Sequence, residues 1–226
     1  MKKKVKILEI SSVTHDVKRF VVERPKGYEF IPGQATEVSI NKPGWRYEER
    51  PFTFTNLINA PHLEFIIKRY PQHKGVTEEL HKLSLGDELI IRKPFGVMQY
   101  GGKGIFVAGG AGITPFIAIL RMLEKEDALL GNKLIFSNKT RDDIILEEEL
   151  KSMFGGDPDD LIFTLTQEKR ADYEDKLVDE EFLKKHVDNF GKQKFYLCGP
   201  PRMVKQLTAT LERLGANINS VTFEGK

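Results

Sequence analysis

Up to about residue 100 the apolar positions fall into short runs at 5–8, 20–22, 35–40, 52–54, 63–67 and 88–91. Turn-forming residues separate them: Pro25-Lys26-Gly27, Pro32-Gly33, Lys42-Pro43-Gly44, Asn59-Ala60-Pro61 and Leu85-Gly86-Asp87. Roughly six short strands, interrupted by one helical pattern over 76–83, predict a small antiparallel barrel or sandwich. Closing a barrel would also hide the strand edges.

From Gly104 the pattern changes. Continuous apolar runs at 105–108, 134–136, 161–165 and 195–197 read as buried strands, and helical spacing over 116–123, 145–153, 180–187 and 203–214 supplies helices between them. Strands alternating with helices predict a parallel sheet covered on both faces. The seam falls near 98–103, where Gly101 and Gly102 break the chain. The expectation is two domains, an antiparallel β-barrel over 1–100 and an α/β nucleotide-binding domain over 101–226.

Composition narrows the chemistry. The chain has 226 residues, enough for two small domains, and a single cysteine. One thiol cannot build a disulfide framework, a thiolate zinc site or a cysteine-ligated iron-sulfur cluster. Lys2, Lys3 and Lys4 are followed by a strand-like run rather than a signal-peptide core, and no apolar window is long enough for a membrane span. A soluble, cytoplasmic protein is expected, with neither a membrane nor a nucleic acid as partner. The net charge of +2 divides unevenly: residues 1–101 hold 17 Lys and Arg against 12 Asp and Glu, and 102–226 hold 18 against 21. That polarity fits an acidic docking partner for the first half, and equally a chance imbalance on solvated faces.

Two turns carry candidate chemistry. Gly109-Gly110-Ala111-Gly112-Ile113-Thr114-Pro115 lies between a predicted buried strand and a helix. Gly110 and Gly112 let the backbone approach a pyrophosphate while the helix start offers N–H groups to it, and Pro115 suits a first helical turn. A glycine-rich turn without a ligand has the same appearance. Cys198-Gly199-Pro200-Pro201 ends another predicted parallel strand. Ligands of open parallel sheets bind beyond the carboxyl ends of the strands, so the two turns should line one crevice. Cys198 is otherwise a small buried apolar side chain.

The order Arg50-Pro51-Phe52-Thr53, Ile67-Lys68-Arg69-Tyr70 with Gly75-Val76-Thr77, Pro94-Phe95-Gly96, Gly110-x-Gly112-x-x-Pro115 and Cys198-Gly199-Pro200-Pro201 resembles the ferredoxin-NADP reductase superfamily, in particular its compact flavodoxin, ferredoxin and oxygenase reductases. The resemblance covers essentially the whole chain. It implies an N-terminal FAD-binding barrel, a C-terminal NAD(P)-binding domain, and FAD and NAD(P)H as cofactors.

By that resemblance Arg50 pairs with the flavin phosphates, Pro51 and Phe52 border the isoalloxazine, and Thr53 presents its hydroxyl near flavin N5. Phenylalanine replaces the family's commoner tyrosine at 52 and gives up a hydroxyl contact. Phe52 and Phe54 are also alternate residues of one strand, and Phe54 is expected in the core. Ile67, Lys68 and Tyr70 with Gly75, Val76 and Thr77 are implied to hold the FAD pyrophosphate, although Lys68 and Arg69 could equally be solvated edge charges. Gly110, Gly112, Thr114, Pro115, Cys198, Gly199 and Pro200 are implied to bind the nicotinamide nucleotide, and Cys198 and Thr53 to frame the hydride transfer. Phe223 is a candidate for shielding the flavin and Glu224 for proton relay.

Preference between NADH and NADPH has two opposed signals. Lys139 and Arg141 offer cations to a 2′-phosphate, whereas Glu168 would repel one. The balance leans to NADH. The five histidines, at 15, 62, 73, 81 and 186, show no metal-binding spacing, no Gly-x-Ser-x-Gly elbow occurs, and basic residues do not interleave with aromatics as in nucleic-acid binders. The expected activity is electron transfer from NAD(P)H through FAD to a protein acceptor: a ferredoxin, a flavodoxin or an oxygenase component. The alternatives are a reductase using free FMN or riboflavin as substrate, and a nucleotide-binding sensor without turnover.

Overall fold

A computed structural model describes residues 2–96, 98–155, 157 and 159–224; the side chains of Ile218 and Glu224, and with the latter its expected proton relay, lie outside the described set. Two compact units result. The first comprises Met1–Gln99 and Thr114–Met122, the second Tyr100–Ile113 and Leu123–Lys226.

The first unit is a six-stranded antiparallel sheet built from β1 (Lys3–Thr14), β2 (Val17–Glu23), β3 (Ala35–Ile40), β4 (Arg50–Thr53), β5 (His62–Lys68) and β6 (Glu88–Ile91). They lie in the order β4-β3-β6-β1-β2-β5. β1 is longer than its apolar run predicts. It pairs with β6 through residues 3–6 and with β2 through residues 7–14, with register shifts at Ile7/Glu9 and Ser12/Thr14. Such bulges bend a strand so that it can serve two neighbours of a curled sheet. The two edges come together where Thr55 N–H donates to Glu64 O at 3.0 Å and Glu64 N–H donates to Asn56 Oδ1 at 2.8 Å.

Alternate side chains of these strands fill one core, including Ile7, Phe20, Val38, Phe54, Leu63 and Phe65. Phe54 is fully buried, as expected, and its ring stacks on Phe30 with centroids 4.3 Å apart. The predicted helix is α1 (Val76–Leu80), which closes the core with Val76 and Leu80. Gly33, at φ +90°, lies so close to the Met98 carbonyl that a Cβ would stand 2.0 Å from its oxygen. Only glycine satisfies both conditions there.

A buried carboxylate sits where the edges meet. Glu64 is 3% exposed. Its Oε1 accepts from Thr55 Oγ1 at 2.7 Å and from Arg121 Nη1 at 2.7 Å, and its Oε2 accepts from Arg19 Nε at 2.6 Å. Arg121 belongs to α2 (Thr114–Lys125), whose first nine residues group with this unit.

The second unit is a parallel sheet of β7 (Ile105–Gly109), β8 (Lys133–Asn138), β9 (Leu161–Leu165), β10 (Phe195–Cys198) and β11 (Val221–Glu224), in the order β11-β10-β7-β8-β9. β7 and β9 are buried along their whole length, which is why their sequences read as unbroken apolar runs. Helices α3 (Glu147–Met153), α4 (Glu180–His186) and α5 (Pro201–Arg213) follow the predicted spacing. α4 and α5 cover one face through Phe182, Leu183, Val204, Leu207 and Leu211. The C-terminal segment, expected only as a tail over the flavin, is strand β11 in parallel pairing with β10. Its alternation is too short to register as a strand in the sequence. No helix among the described residues is long and apolar enough to cross a membrane.

The Glu64 cluster makes stability pH-dependent. Burial pushes its carboxyl up, but the Arg121 charge and the hydrogen bonds from Arg19, Arg121 and Thr55 outweigh this and hold it below the usual carboxylate range. A folded-state pKa below the unfolded one stabilises above the unfolded value of about 4, and the stabilisation is lost as pH falls through the folded value. Glu64→Gln is expected to cost about 3 kcal/mol at neutral pH, with the gap to wild type shrinking below about pH 5. Urea unfolding across the acid range checks this; a gap of constant size would contradict it.

Candidate functional site

In the first unit, Arg50, Pro51, Phe52 and Thr53 are the four residues of the edge strand β4. Proline is tolerated there because an edge strand has one side free of ladder bonds. Arg50 and Pro51 are exposed, Phe52 is half-buried against the sheet core, and Thr53 is 9% exposed. Among the described residues the Arg50 guanidinium donates only to the neighbouring Glu49 carbonyl, at 2.7 Å. Glu49 itself is taken by Arg92, whose guanidinium donates to both carboxylate oxygens. Arg50 therefore carries a solvated charge with no carboxylate partner among the described residues, which suits a phosphate ligand.

The second FAD segment is split by the fold. Ile67 and Val76 place their side chains in the sheet core, leaving only backbone to a ligand, and the Ile67 carbonyl is already 2.8 Å from His81 Nε2. Burial pushes the His81 imidazole below its ordinary pKa despite that bond. Lys68 pairs with Asp16 at 3.0 Å. Tyr70 is half-exposed and meets the His73 ring edge-on. Gly75 precedes α1 in extended geometry with no side-chain cap, and the N–H groups of Glu78 and Glu79 return to its carbonyl. The N–H groups of Val76 and Thr77 have no acceptor among the described residues. A phosphate at this turn would supply one.

In the second unit the two glycine turns interlock. Gly110–Ile113 forms a single 3-10 turn after β7, and α2 starts at Thr114 with Pro115 in its first turn. A Cβ on Gly112 would stand 2.3 Å from the Cys198 carbonyl oxygen, and one on Gly199 would stand 3.1 Å from Gly109 N. A Cβ on Gly109 would meet Met203 Sδ at 2.5 Å and Pro200 Cδ at 2.9 Å. Gly112 and Gly199 thus pack backbone on backbone, and Gly109 packs against the Met203 and Pro200 side chains. Gly110 differs: it takes φ +51° and faces open space, with nothing within 4 Å of where its Cβ would be. That is the cradle a pyrophosphate needs. Cys198 is half-buried and pairs in register with Ala108 and Glu224. Phe223 on β11 is 48% exposed and sits beside Leu197.

A groove of about 820 Å³ runs from the same end of this sheet along α5, past Asp179 and Glu180 and as far as Arg213. Ser137 at the end of β8, Leu177, Pro200, Arg202, Met203 and Gln206 line it. Leu177 is 68% exposed, an apolar side chain standing in water where a flat ring could cover it. Apart from Pro200, these residues escaped the sequence reading as ligands. The exposed Leu177 has no periodic signal, and Met203 sits on the buried stripe of α5.

Beyond β8 and β9 the charges are not disposed symmetrically. Arg141 N–H donates to Glu168 Oε2 at 2.8 Å, and Arg170 Nη1 donates to Glu168 Oε1 at 2.9 Å. These bonds, the backbone one foremost, hold the Glu168 carboxyl below its ordinary pKa. The Arg141 side chain turns instead to Glu147, donating from Nε at 3.1 Å. Lys139 is exposed.

Comparison with known proteins resolves the family. The oxidoreductase FAD-binding domain model matches residues 4–100, and the oxidoreductase NAD-binding domain model matches residues 106–208. NADH-cytochrome b5 reductase 1 of Arabidopsis thaliana is 30% identical over 228 residues, covering 94% of this chain and 80% of its own length. The chain belongs to the ferredoxin-NADP reductase superfamily. The reductase component of propane 2-monooxygenase from Rhodococcus jostii is also 30% identical over 95% of this chain, which spans 60% of that protein's length. The FAD/NAD-binding domain of the nitric oxide dioxygenase of Vibrio cholerae shares the fold with a TM-score of 0.86 at 20% identity, over 98% of this chain and 97% of that one. As a superfamily member, the protein is an FAD- and NAD-binding flavoprotein oxidoreductase. The solvated Arg50, the open α1 start and the Gly110 cradle are residues that fit those two groups.

Proposed function

We propose that this protein takes hydride from NADH onto FAD and hands the electrons to a separate protein, with residues 1–100 serving the flavin and 101–226 the nicotinamide nucleotide. The observation that carries this reading is the solvated, carboxylate-free Arg50 on the Arg50-Pro51-Phe52-Thr53 strand of the matched FAD-binding domain. When bound, the flavin supplies a two-electron acceptor able to release electrons one at a time. Arg50 and the N–H groups of Val76 and Thr77 neutralise the FAD phosphates. Phe52 offers an apolar ring face, and the Thr53 hydroxyl offers a hydrogen bond at the flavin edge. Gly110 admits the nucleotide pyrophosphate, Pro200 and Leu177 line the groove for the adenosine half, and Cys198 borders the nicotinamide.

The acceptor is a protein. With one cysteine this chain cannot hold an iron-sulfur cluster of its own, and the relatives are named for cytochrome b5 and for an oxygenase. An oxygenase component, a cytochrome or a ferredoxin-type carrier with an acidic docking face matches the positive first half of the chain. The preference for NADH follows from Glu168. Its carboxylate takes the Arg141 N–H that a 2′-phosphate would otherwise use, and Glu147 draws the Arg141 side chain away.

The purified protein is expected to be yellow, with about one FAD per chain, and to reduce ferricyanide with NADH; a colourless protein that reduces added FMN would overturn the reading. Arg50→Ala should weaken FAD retention roughly tenfold or more with the fold intact, because a charge-assisted hydrogen bond contributes about 1.5–3 kcal/mol. Unchanged flavin content would remove Arg50 from the phosphate site. Cys198→Ala should slow single-turnover flavin reduction by about tenfold while leaving FAD bound, the scale expected for a misplaced reactant; a wild-type rate would make Cys198 a packing residue. Glu168→Gln should raise the NADPH to NADH ratio of kcat/KM roughly tenfold, the size of one removed like-charge contact. An unaltered ratio would exclude Glu168 as the discriminator.

A further inference from the structure

Arg121 is the eighth residue of α2, the helix that starts directly after the Gly110–Ile113 turn. Its side chain is 19% exposed and runs into the closure of the antiparallel sheet. There a single nitrogen, Nη1, donates both to the Thr55 carbonyl at 2.8 Å and to Glu64 Oε1 at 2.7 Å. Thr55 lies two residues beyond Thr53, and its own hydroxyl donates to the same Glu64 oxygen. Glu64 has a second cation, Arg19, on its other oxygen. Arg19 comes from β2, and among the described residues its other partner is Glu9.

The carboxylate thus has more positive charge around it than burial alone requires. One buried carboxylate is balanced by one guanidinium, and Arg19 already provides it. The second guanidinium is held in place by a backbone carbonyl as well as by charge, so its direction is specified, not merely its sign. Ile119, two residues earlier on the same helix, fills the space left by Gly33, where a Cβ would stand 3.2 Å from its Cδ1. α2 is therefore fixed in the first unit at two points, one polar and one apolar.

We infer that Arg121, through Glu64 and the Thr55 carbonyl, is a positioning residue for hydride transfer: within the first unit it fixes α2, whose Thr114 and Pro115 are expected nucleotide-site residues, to the strand end next to Thr53. This rests on the proposed function. A displacement of about 1 Å in a reacting group can lower a rate about a hundredfold, so a helix free to shift by that amount would lower the rate of flavin reduction without releasing the flavin.

The test compares two variants that each remove one cation from the same carboxylate. In the FAD-loaded protein, Arg121→Met is expected to slow flavin reduction by NADH at least tenfold, keep its FAD, and speed hydrogen exchange of the backbone amides of residues 114–122. Arg19→Met is expected to lose comparable thermal stability yet reduce its flavin at the wild-type rate with unchanged exchange in that segment. Arg121→Lys, which keeps a cation but not the guanidinium geometry, should fall between, and it decides the question if Arg121→Met does not fold. Equal slowing by Arg121→Met and Arg19→Met, or a wild-type rate in the Arg121 variants, overturns the positioning role. If the wild-type flavin is not reduced by NADH at all, the proposed function fails instead, and faster exchange in 114–122 of Arg121→Met would still show that Arg121 fixes the helix.

Discussion

A carboxylate removed from water must be met on every oxygen, and Glu64 imposes that demand at the point where the six-stranded sheet has to close. Its neighbours answer with two guanidinium groups and a hydroxyl. Each partner comes from a different piece of chain: β2, the segment after β4, and α2. The strand bearing Arg50 to Thr53 ends two residues from this cluster, so its course is set by an electrostatic requirement as much as by apolar packing. Replacing the cluster with hydrocarbon could preserve stability, but it would lose the directional constraint on α2.

The nucleotide half uses the opposite device, the absence of side chains. Gly112 and Gly199 bring two strand-end turns into backbone contact, Gly109 makes room for the Met203 and Pro200 side chains, and Gly110 keeps its outer face open. Close contact on one side and open space on the other make a rigid concave edge. Binding there needs little rearrangement of the turn, which lowers the entropic cost of fixing a flexible dinucleotide.

Much of this was readable from the chain. β3, β6 and β9 coincide with their apolar runs, and α2 differs only by its first and last turns. These segments have strong periodicity and sharp turn boundaries, so local preference and tertiary structure agree. β1 and β11 were understated for different reasons. The extension of β1 past the bulge carries polar residues that its neighbours still pair, and β11 is a short edge strand stabilised by β10, not by its own composition. The motif residues stand on β4, at the α1 start and at the two glycine turns. The sequence could not show that Ile67 and Val76 point into the core, nor that Leu177 and Met203 line the groove. Those facts depend on which face of an element a neighbour covers. The Glu64 cluster was likewise hidden, because Arg19, Glu64 and Arg121 are far apart in sequence and each reads alone as a surface charge.

Gly101 and Gly102 look like a swivel in the sequence, yet both are tied into the second unit. The Tyr196 hydroxyl, on a residue 2% exposed, accepts from Gly101 N–H at 3.0 Å and donates to the Gly102 carbonyl at 2.7 Å, and Lys194 Nζ bonds the Gly101 carbonyl. Tyr100 stacks on the same Tyr196 ring and donates to Asn132. A protease that needs a few residues of extended, detachable backbone finds none here, despite the diglycine. Limited digestion is therefore a poor way to separate the two halves at this point, and a fusion or insertion engineered there would have to break the Tyr196 bonds before it could move.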